Sequence, residues 1–316
     1  MTAPPAEGAR VDWEHVPGSV REQIERACGA AVVDARTAPG GFSPGLAARV
    51  LCADGTRWFV KAASAEVNPD APRLHRQEAR VMAGLEPLIG SGRLPAPRLR
   101  ATVDDEPWFA LILDDIDGQP PALPWQDEQL GQVLGTLDKL ADVLTPTPIG
   151  APTIAEYLGA AFTGWRTIAG HPDDERLDSW SRAHLAEMAA LESTWEEHAS
   201  GQTLLHADIR ADNLLMTPGG VVVVDWPHAC VGAAFVDVVA MAPSVAMQGG
   251  PEPAEFIARS RTGRAAGRQA LAATVCALAG YLAEGSLRPP PPGLPTVRAF
   301  QAAQGRVARR WLAQLV

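Results

Sequence analysis

Residues Leu204–Leu215 hold a polar loop between two apolar runs. His206, Asp208 and Asn213 lie in the loop, and a following run, Val221–Val224, ends on Asp225 and Trp226. Buried polar groups cost free energy unless they find partners, so a plain hairpin core does not account for so many of them. Two carboxylates and an amide at strand ends suit another task. Magnesium prefers such oxygen ligands and usually shares them with phosphate, and a neighbouring carboxylate can orient a hydroxyl. The residue types point to metal-assisted chemistry on a phosphate.

A second signal is the scarcity of lysine. Lys61 and Lys139 are the only lysines in a chain that otherwise uses arginine for positive charge. Lysine is a compact point charge and arginine a planar fork. Lys61, in Trp58-Phe59-Val60-Lys61-Ala62, is therefore a candidate for a specific role.

These residues need elements to position them. Residues 1–12 are small and Pro-rich and read as a frayed end. Glu14–Gly29 has helical spacing, with Val20, Ile24 and Ala27 facing inward and Gly29 as its terminator. Val32–Thr37, Ala47–Cys52 and Arg57–Ala62 read as strands, joined by the turns Gly40–Gly45 and Asp54-Gly55. Glycines let a backbone approach phosphate closely, although Gly-rich hairpin turns also occur without any ligand. Arg73–Leu85 is helical, with Leu74, Val81 and Leu85 as apolar contacts, and it carries Glu78. Leu94–Leu99 is extended, because residues before proline avoid helix. A hairpin follows, whose second strand Trp108–Leu113 runs into Asp114-Asp115-Ile116-Asp117-Gly118.

Asp127–Leu144 is amphipathic and ended by Pro146, and residues 153–169 and 178–199 are two further helical stretches. Phe235–Met241 starts another helix, residues 264–284 form an Ala-rich one, and Val297–Leu315 closes the chain with Arg306, Arg309 and Arg310 on its polar side. Trp165, Trp180 and Trp195 read as core or groove-wall residues.

The length of 316 residues allows one two-lobed domain or two domains, and an apolar content of 47% is ample for a core. No 18-residue run is uninterruptedly apolar, so no membrane span is expected. Met1–Pro5 lacks the basic and apolar regions of a signal peptide. Cys28, Cys52, Cys230 and Cys276 are scattered, without C-x-x-C spacing, and read as buried thiols of a cytoplasmic protein. The net charge of −10 argues against nucleic acid as the main partner. It is compatible with a cationic substrate, and equally with simple solubility. The acidic turn His171-Pro172-Asp173-Asp174-Glu175, with Asp178 after it, either faces such a substrate or begins a helix, where carboxylates favour the N-terminal dipole. Gly41-Phe42-Ser43-Pro44-Gly45 has the letters of G-x-S-x-G, but it lies in a turn between two strands and does not lead from a strand into a helix, which speaks against a nucleophilic hydrolase of that kind.

The pattern H-x-D-x-x-x-x-N over His206–Asn213, followed by Asp225 after an apolar strand, resembles the catalytic loop and metal-binding Asp of protein-kinase-like phosphotransferases. The form His206-Ala207-Asp208 with Asp225-Trp226 is similar to that of the aminoglycoside phosphotransferase and choline kinase family. Protein kinases carry Arg inside the triplet and Phe-Gly after the metal Asp, and this chain has neither. The resemblance runs in order from about residue 30 to residue 240.

It implies a bilobal α+β fold of protein-kinase-like type. The small lobe, residues 1–113, would be an antiparallel sheet that binds nucleotide. The larger, mainly helical lobe, residues 114–316, would carry the catalytic and substrate-binding groups. The implied cofactors are ATP and Mg2+, with Asp208 as the catalytic residue and Asn213 and Asp225 as metal ligands. Lys61 would hold the phosphates, steadied by Glu78. Gly40, Gly41 and Ser43 would touch phosphate, although their turn is not G-x-G-x-x-G, and the backbone around Asp114 and Ile116 would bond adenine. His206 would brace the loop. In relatives an Asp at the place of Asp237 does so too, and a plain helix N-terminal carboxylate accounts for it equally well.

The implied acceptor is a hydroxyl of a small molecule, first an aminoglycoside or related cationic antibiotic. A kinase of another small metabolite and a non-catalytic pseudokinase are the alternatives. Intact Lys61, Asp208, Asn213 and Asp225 speak against the pseudokinase. The absence of an A-P-E segment and the short stretch after Asp225 leave little room for a protein kinase's activation loop.

Overall fold

The computed structural model describes residues 3–171 and 176–316. Its smaller lobe comprises α1 (Gly18–Cys28), β1 (Val32–Thr37), β2 (Leu46–Cys52), β3 (Arg57–Ser64), α2 (Ala71–Gly90), β4 (Leu99–Asp105) and β5 (Trp108–Asp114). The strands form one antiparallel sheet in the order β1-β2-β3-β5-β4. Side chains alternate across a strand, and β5 uses both faces. Ala110 and Ile112 meet Val20, Ile24 and Cys28 of α1, whereas Phe109, Leu111 and Leu113 form a second cluster on the other face. Lys61 lies between Val60 and Ala62, which both join the α1 side. Its own side chain therefore emerges on the opposite face, where α2 packs.

The larger lobe contains α3 (Asp127–Val143), α4 (Ile154–Leu158), α5 (Gly164–Ala169), α6 (Ser179–Ala183), α7 (Leu185–Glu192) and α8 (Trp195–Ala199). Four short strands follow: β6 (Thr203–Leu205), β7 (Leu214–Thr217), β8 (Gly220–Val223) and β9 (Cys230–Gly232). They pair as β6 with β9 and β7 with β8. The chain ends in α9 (Val236–Met247), α10 (Pro253–Arg259), α11 (Arg261–Ala265), α12 (Arg268–Leu287) and α13 (Val297–Leu315). By length and composition α12 could cross a membrane, but here it is a core helix packed against α5, α7, α8 and α13. The second half of α2 belongs to this same core. Val81, Met82, Leu85 and Ile89 cluster with the apolar residues of the larger lobe. At Gly84 the helix comes so close to Ile149 that a Cβ would lie 2.7 Å from its Cγ2.

The expected strands and the closing helix form at or within a few residues of their expected limits. Several helices differ. The predicted helix Glu14–Gly29 is a single turn at Trp13–His15, a break at Val16-Pro17, and then α1. A residue before proline avoids helical dihedrals, and Val16 is extended. Ala27 is exposed, and Cys28 takes the inward position. The stretch 153–169 divides into α4 and α5, and 178–199 into α6, α7 and α8, because caps and turns interrupt what composition alone joins. Residues 264–284 resolve into the end of α11 and a separate α12. The N-terminal segment is not frayed over its whole length, since Ala9 and Val11 bond to the backbone of Gly45. All four cysteines are free and buried.

Asp178 caps α6 through the N–H and hydroxyl of Ser181 and pairs with Arg309 at 3.0 Å, so it serves the fold. Asp173, Asp174 and Glu175 lie outside the described residues.

Gly164 on α5 and Gly280 on α12 let those helices cross in near contact. A Cβ on Gly280 would sit 2.5 Å from Glu192 Oε1 and 2.7 Å from Trp165 Cδ1. Alanine is the better helix former by roughly 0.5–1 kcal/mol. Gly280→Ala should nevertheless destabilise the protein, by about 1–3 kcal/mol in urea unfolding, because overpacking wins over propensity.

Candidate active site

The β7–β8 hairpin sets the geometry. Leu214 opposes Val223, and the Val224 N–H bonds the Asn213 carbonyl at 3.0 Å. Asn213 and Asp225 thus share one end of the hairpin. Asp225 has φ 70° and Ala207 φ 62°, and these are the only non-glycine residues with positive φ among those described. A residue with a side chain held there costs roughly 1–3 kcal/mol and persists only when its surroundings enforce it. At Ala207 the enforcement comes from Asp237. Its carboxylate accepts the N–H of His206 at 2.9 Å and that of Ala207 at 2.8 Å.

His206 completes the brace. Its Nδ1 accepts the Asp208 N–H at 3.2 Å, so Nε2 carries the proton and donates to the Val224 carbonyl at 3.0 Å. The imidazole also stands edge-on to Trp226, with ring centroids 4.7 Å apart. Burial holds it neutral by lowering its pKa to about 4. His206 thereby joins the catalytic-loop backbone to the strand that ends at Asp225.

The Asp208 carboxylate accepts from Arg210 Nη1 at 2.5 Å and from Asn213 Nδ2 at 3.1 Å. Burial raises its pKa, and Asp212 and Asp225 add to that, against the pull of Arg210 and His228. Arg210 is further held by Asp212, through Nε at 3.0 Å and Nη2 at 2.9 Å. Asn213 commits its amide nitrogen to Asp208, including the carbonyl at 2.8 Å. Its Oδ1 accepts nothing among the described residues.

Lys61 joins the lobes. Its Nζ lies 2.8 Å from both Glu78 oxygens and 2.6 Å from Asp225 Oδ1. Burial lowers the ammonium's pKa, but the carboxylates Asp225 and Glu78 outweigh it and hold the pKa above its ordinary range. Burial alone would raise Asp225 too. Lys61 more than offsets this, with help from His228 and Arg210, and keeps the carboxyl far below its usual range. Glu78 is shifted upward by its burial.

The donor set fits a magnesium ion. Asn213 Oδ1 and Asp225 Oδ2 are hard oxygens at one hairpin end, and neither accepts a hydrogen bond among the described residues. No group of three or more His, Cys, Asp or Glu side chains forms a metal cage among those residues. An ion here would share its shell with phosphate and water, as magnesium prefers.

Gly40 and Gly41, at φ 81° and 83°, shape the turn between β1 and β2. Arg10 donates to the carbonyls of Gly40 and Ser43. The tip, Phe42, reaches the larger lobe, under the Arg210 guanidinium (5.2 Å) and edge-on to Phe300 (5.3 Å). At the crossing between lobes the Asp114 N–H bonds the Arg98 carbonyl, and the Ile116 carbonyl accepts from Arg49 and from the Gly118 N–H. The Ile116 N–H donates to no group among the described residues.

The structure therefore brings Lys61, Glu78, Asp208, Asn213 and Asp225 together, with the Gly40–Ser43 turn above them. Arg210, His228, Tyr157 and Arg10 were not singled out by sequence. Tyr157 Oη and His228 Nδ1 are 2.6 Å apart. Arg210 sits two residues beyond Asp208, and proximity was its one available signal. Nothing in the spacing of the other three marks them.

A family model described as the phosphotransferase enzyme family, APH, matches residues 34–274. The chain belongs to this family. It is a phosphotransferase. A comparison with curated proteins returns no significant match. Among solved structures the phosphotransferase is similar to aminoglycoside-3'-phosphotransferase of type VIII, at 21% identity and TM-score 0.52, over 83% of this chain and 98% of that one. It is similar to a thermostable mutant of aminoglycoside phosphotransferase APH(4)-Ia in ternary complex with ADP and hygromycin B, at 18% identity and TM-score 0.59, over 92% and 98%. Choline kinase LicA from Streptococcus pneumoniae gives 13% identity and TM-score 0.59, over 94% and 98%. At these identities the likeness is one of fold.

Two buried histidines give this phosphotransferase an acid-sensitive fold. His75 and His206 both have pKa values lowered to about 4, chiefly by burial. Between about pH 6.5 and 4 the unfolded chain protonates them and the folded chain does not, so stability falls with pH across that window. Asp237, raised to about 6 by burial, opposes part of the fall, because there the folded chain holds a proton that the unfolded chain has lost. Glu78, Asp208 and Glu192, also raised by burial, oppose it in the same way. From pH 6.5 to 4 the melting temperature of His75→Gln should therefore change by a smaller loss, or a larger gain, than that of the unaltered protein. Parallel profiles would contradict a neutral buried His75.

Proposed function

We propose that this phosphotransferase moves the γ-phosphate of magnesium-ATP to a hydroxyl of a small cationic molecule, an aminoglycoside or related antibiotic. The observation that carries the catalytic reading is the continuity of one polar array. It runs Glu78–Lys61–Asp225 on one side and Asn213–Asp208–Arg210 on the other, joined at the end of a single hairpin.

Phosphoryl transfer depends on positioning and charge stabilisation more than on covalent chemistry. Lys61 orients the phosphate tail, and Glu78 keeps the ammonium in place. Asn213 and Asp225 would hold the metal, which would supply positive charge against that developing on the phosphates. Asp208 accepts the hydrogen bond of the acceptor hydroxyl and takes its proton late. Its raised pKa suits a base, while Arg210 and Asn213 fix the carboxylate. Gly40, Gly41 and Ser43 approach the phosphates, and adenine meets the backbone of Asp114 and Ile116, where one N–H is uncommitted. The division into a nucleotide lobe, residues 1–113, and a catalytic lobe, residues 114–316, follows the same reading.

The cationic acceptor is supported by structural neighbours, one a complex with hygromycin B and another a choline kinase, and by a net charge of −10. Exposed charges are screened over about 8 Å at physiological ionic strength, so turnover of a polyamine acceptor should weaken with salt. Efficient phosphorylation of neutral sugars alone, indifferent to salt, would point instead to another metabolite kinase.

Asp208→Asn should retain ATP binding and lose about 10²–10⁴-fold in kcat, the usual range for a general base. Asp225→Asn should instead weaken use of magnesium-nucleotide. The reverse pattern, measured by calorimetry and steady-state kinetics, would refute the assigned roles. Lys61→Ala should abolish turnover and also destabilise. Lys61 is only 8% exposed, and its removal leaves the buried Glu78 and the partly buried Asp225 without their cation, at about 3–5 kcal/mol. Wild-type ATP kinetics in that variant would exclude the phosphate role.

A further inference from the structure

We propose that Arg10, on the N-terminal segment, is a nucleotide-phosphate ligand of this enzyme, supplying the cation that the Gly40–Ser43 turn lacks. The proposal rests on the nucleotide site described above.

The segment is held where such a role requires. The Val11 N–H bonds the Gly45 carbonyl at 3.1 Å, and the Gly45 N–H bonds the Ala9 carbonyl at 3.0 Å. On its other side the Ala9 N–H bonds the Gly293 carbonyl at 2.7 Å, and the Glu7 N–H bonds Thr296 Oγ1 at 3.1 Å. Residues 7–11 are thus threaded between the Gly-rich turn and the start of α13.

From this segment the Arg10 side chain enters the turn and donates to the Ser43 carbonyl through Nη1, at 2.5 Å, and to the Gly40 carbonyl through Nη2. A carbonyl aimed at a polyphosphate repels it, and here two of them are turned onto a guanidinium. Arginine has five N–H donors in a fixed fork. Nε is buried and has no partner among the described residues.

The charge balance points the same way. Arg210 is matched by Asp208 and Asp212, and Lys61 by Glu78 and Asp225. Arg10 forms no ion pair among the described residues, yet burial opposes its charge, and Asp225 and Asp212 are near enough to favour it. Its charge, like that of Lys61, also helps to lower the pKa of His75. An unmatched, desolvated guanidinium on the phosphate side of the cleft has the chemistry to take a polyphosphate oxygen through a charge-assisted bond.

The test is calorimetric titration of the full-length protein with ATP, ADP and adenosine. Arg10→Gln should weaken ATP and ADP by at least about tenfold, the size of one charge-assisted hydrogen bond, and leave adenosine unchanged. Arg10→Lys should recover part of the loss, since it restores charge without the fork. Unchanged ATP affinity would overturn the proposal. Tighter ATP binding would overturn it too, because Arg10 would then be excluding the nucleotide. Equal loss for all three ligands would show that Arg10 only shapes the turn. If the wild-type protein binds no nucleotide, the phosphotransferase reading of the site fails, and this inference with it.

Discussion

One ammonium group holds the two lobes in register. Lys61 is buried between a carboxylate from α2 and a carboxylate at the end of a larger-lobe strand. Isolated buried charges are prohibitively costly, and a buried cluster survives only with good geometry and full hydrogen bonding. Three contacts of 2.8 Å or less meet that demand. Two carboxylates around one cation still leave a negative excess. A site so charged repels bare polyphosphate and favours a divalent cation, which is why the nucleotide is expected to arrive as its magnesium complex.

Local backbone strain is the second constraint. Ala207 and Asp225 occupy a region that side chains disfavour, and both belong to the site. Asp237 spends its whole carboxylate on two N–H groups of the first bend. His206 uses both ring nitrogens to tie that bend to the strand behind the second. The loop is therefore fixed before any ligand arrives, and Asp208 starts from one orientation.

The sequence revealed the site unevenly. Asp208, Asn213 and Asp225 were legible because polar residues interrupted strands that otherwise had no reason to carry them. Lys61 stood out because lysine is nearly absent, and its pairing with Glu78 was implied by the family resemblance and the order of strand and helix. The role of Asp237 was not separable from a helix-start carboxylate until its two acceptor bonds were seen. Arg10 was illegible, because a Pro-rich end looks unstructured and its order comes from backbone pairing with Gly45, far along the chain. The fragmented helices α4 to α8 were blurred for a similar reason. Composition sets helical tendency, whereas Thr153 and Asp178 set where each helix begins. The fold class followed from the order of elements, which local errors do not change.

The seating of α2 has a consequence for control. In a switchable kinase the glutamate-bearing helix swings away and breaks the ion pair, so that activity waits on a signal. Here Val81, Met82, Leu85 and Ile89 anchor that helix in the larger lobe, and Gly84 is pressed against Ile149. A swing would expose those side chains at roughly 1.5–3 kcal/mol each. Glu78 is bolted to the lobe that carries Asp208. The Lys61–Glu78 pair therefore cannot open by a swing of α2 alone without uncovering that apolar anchor.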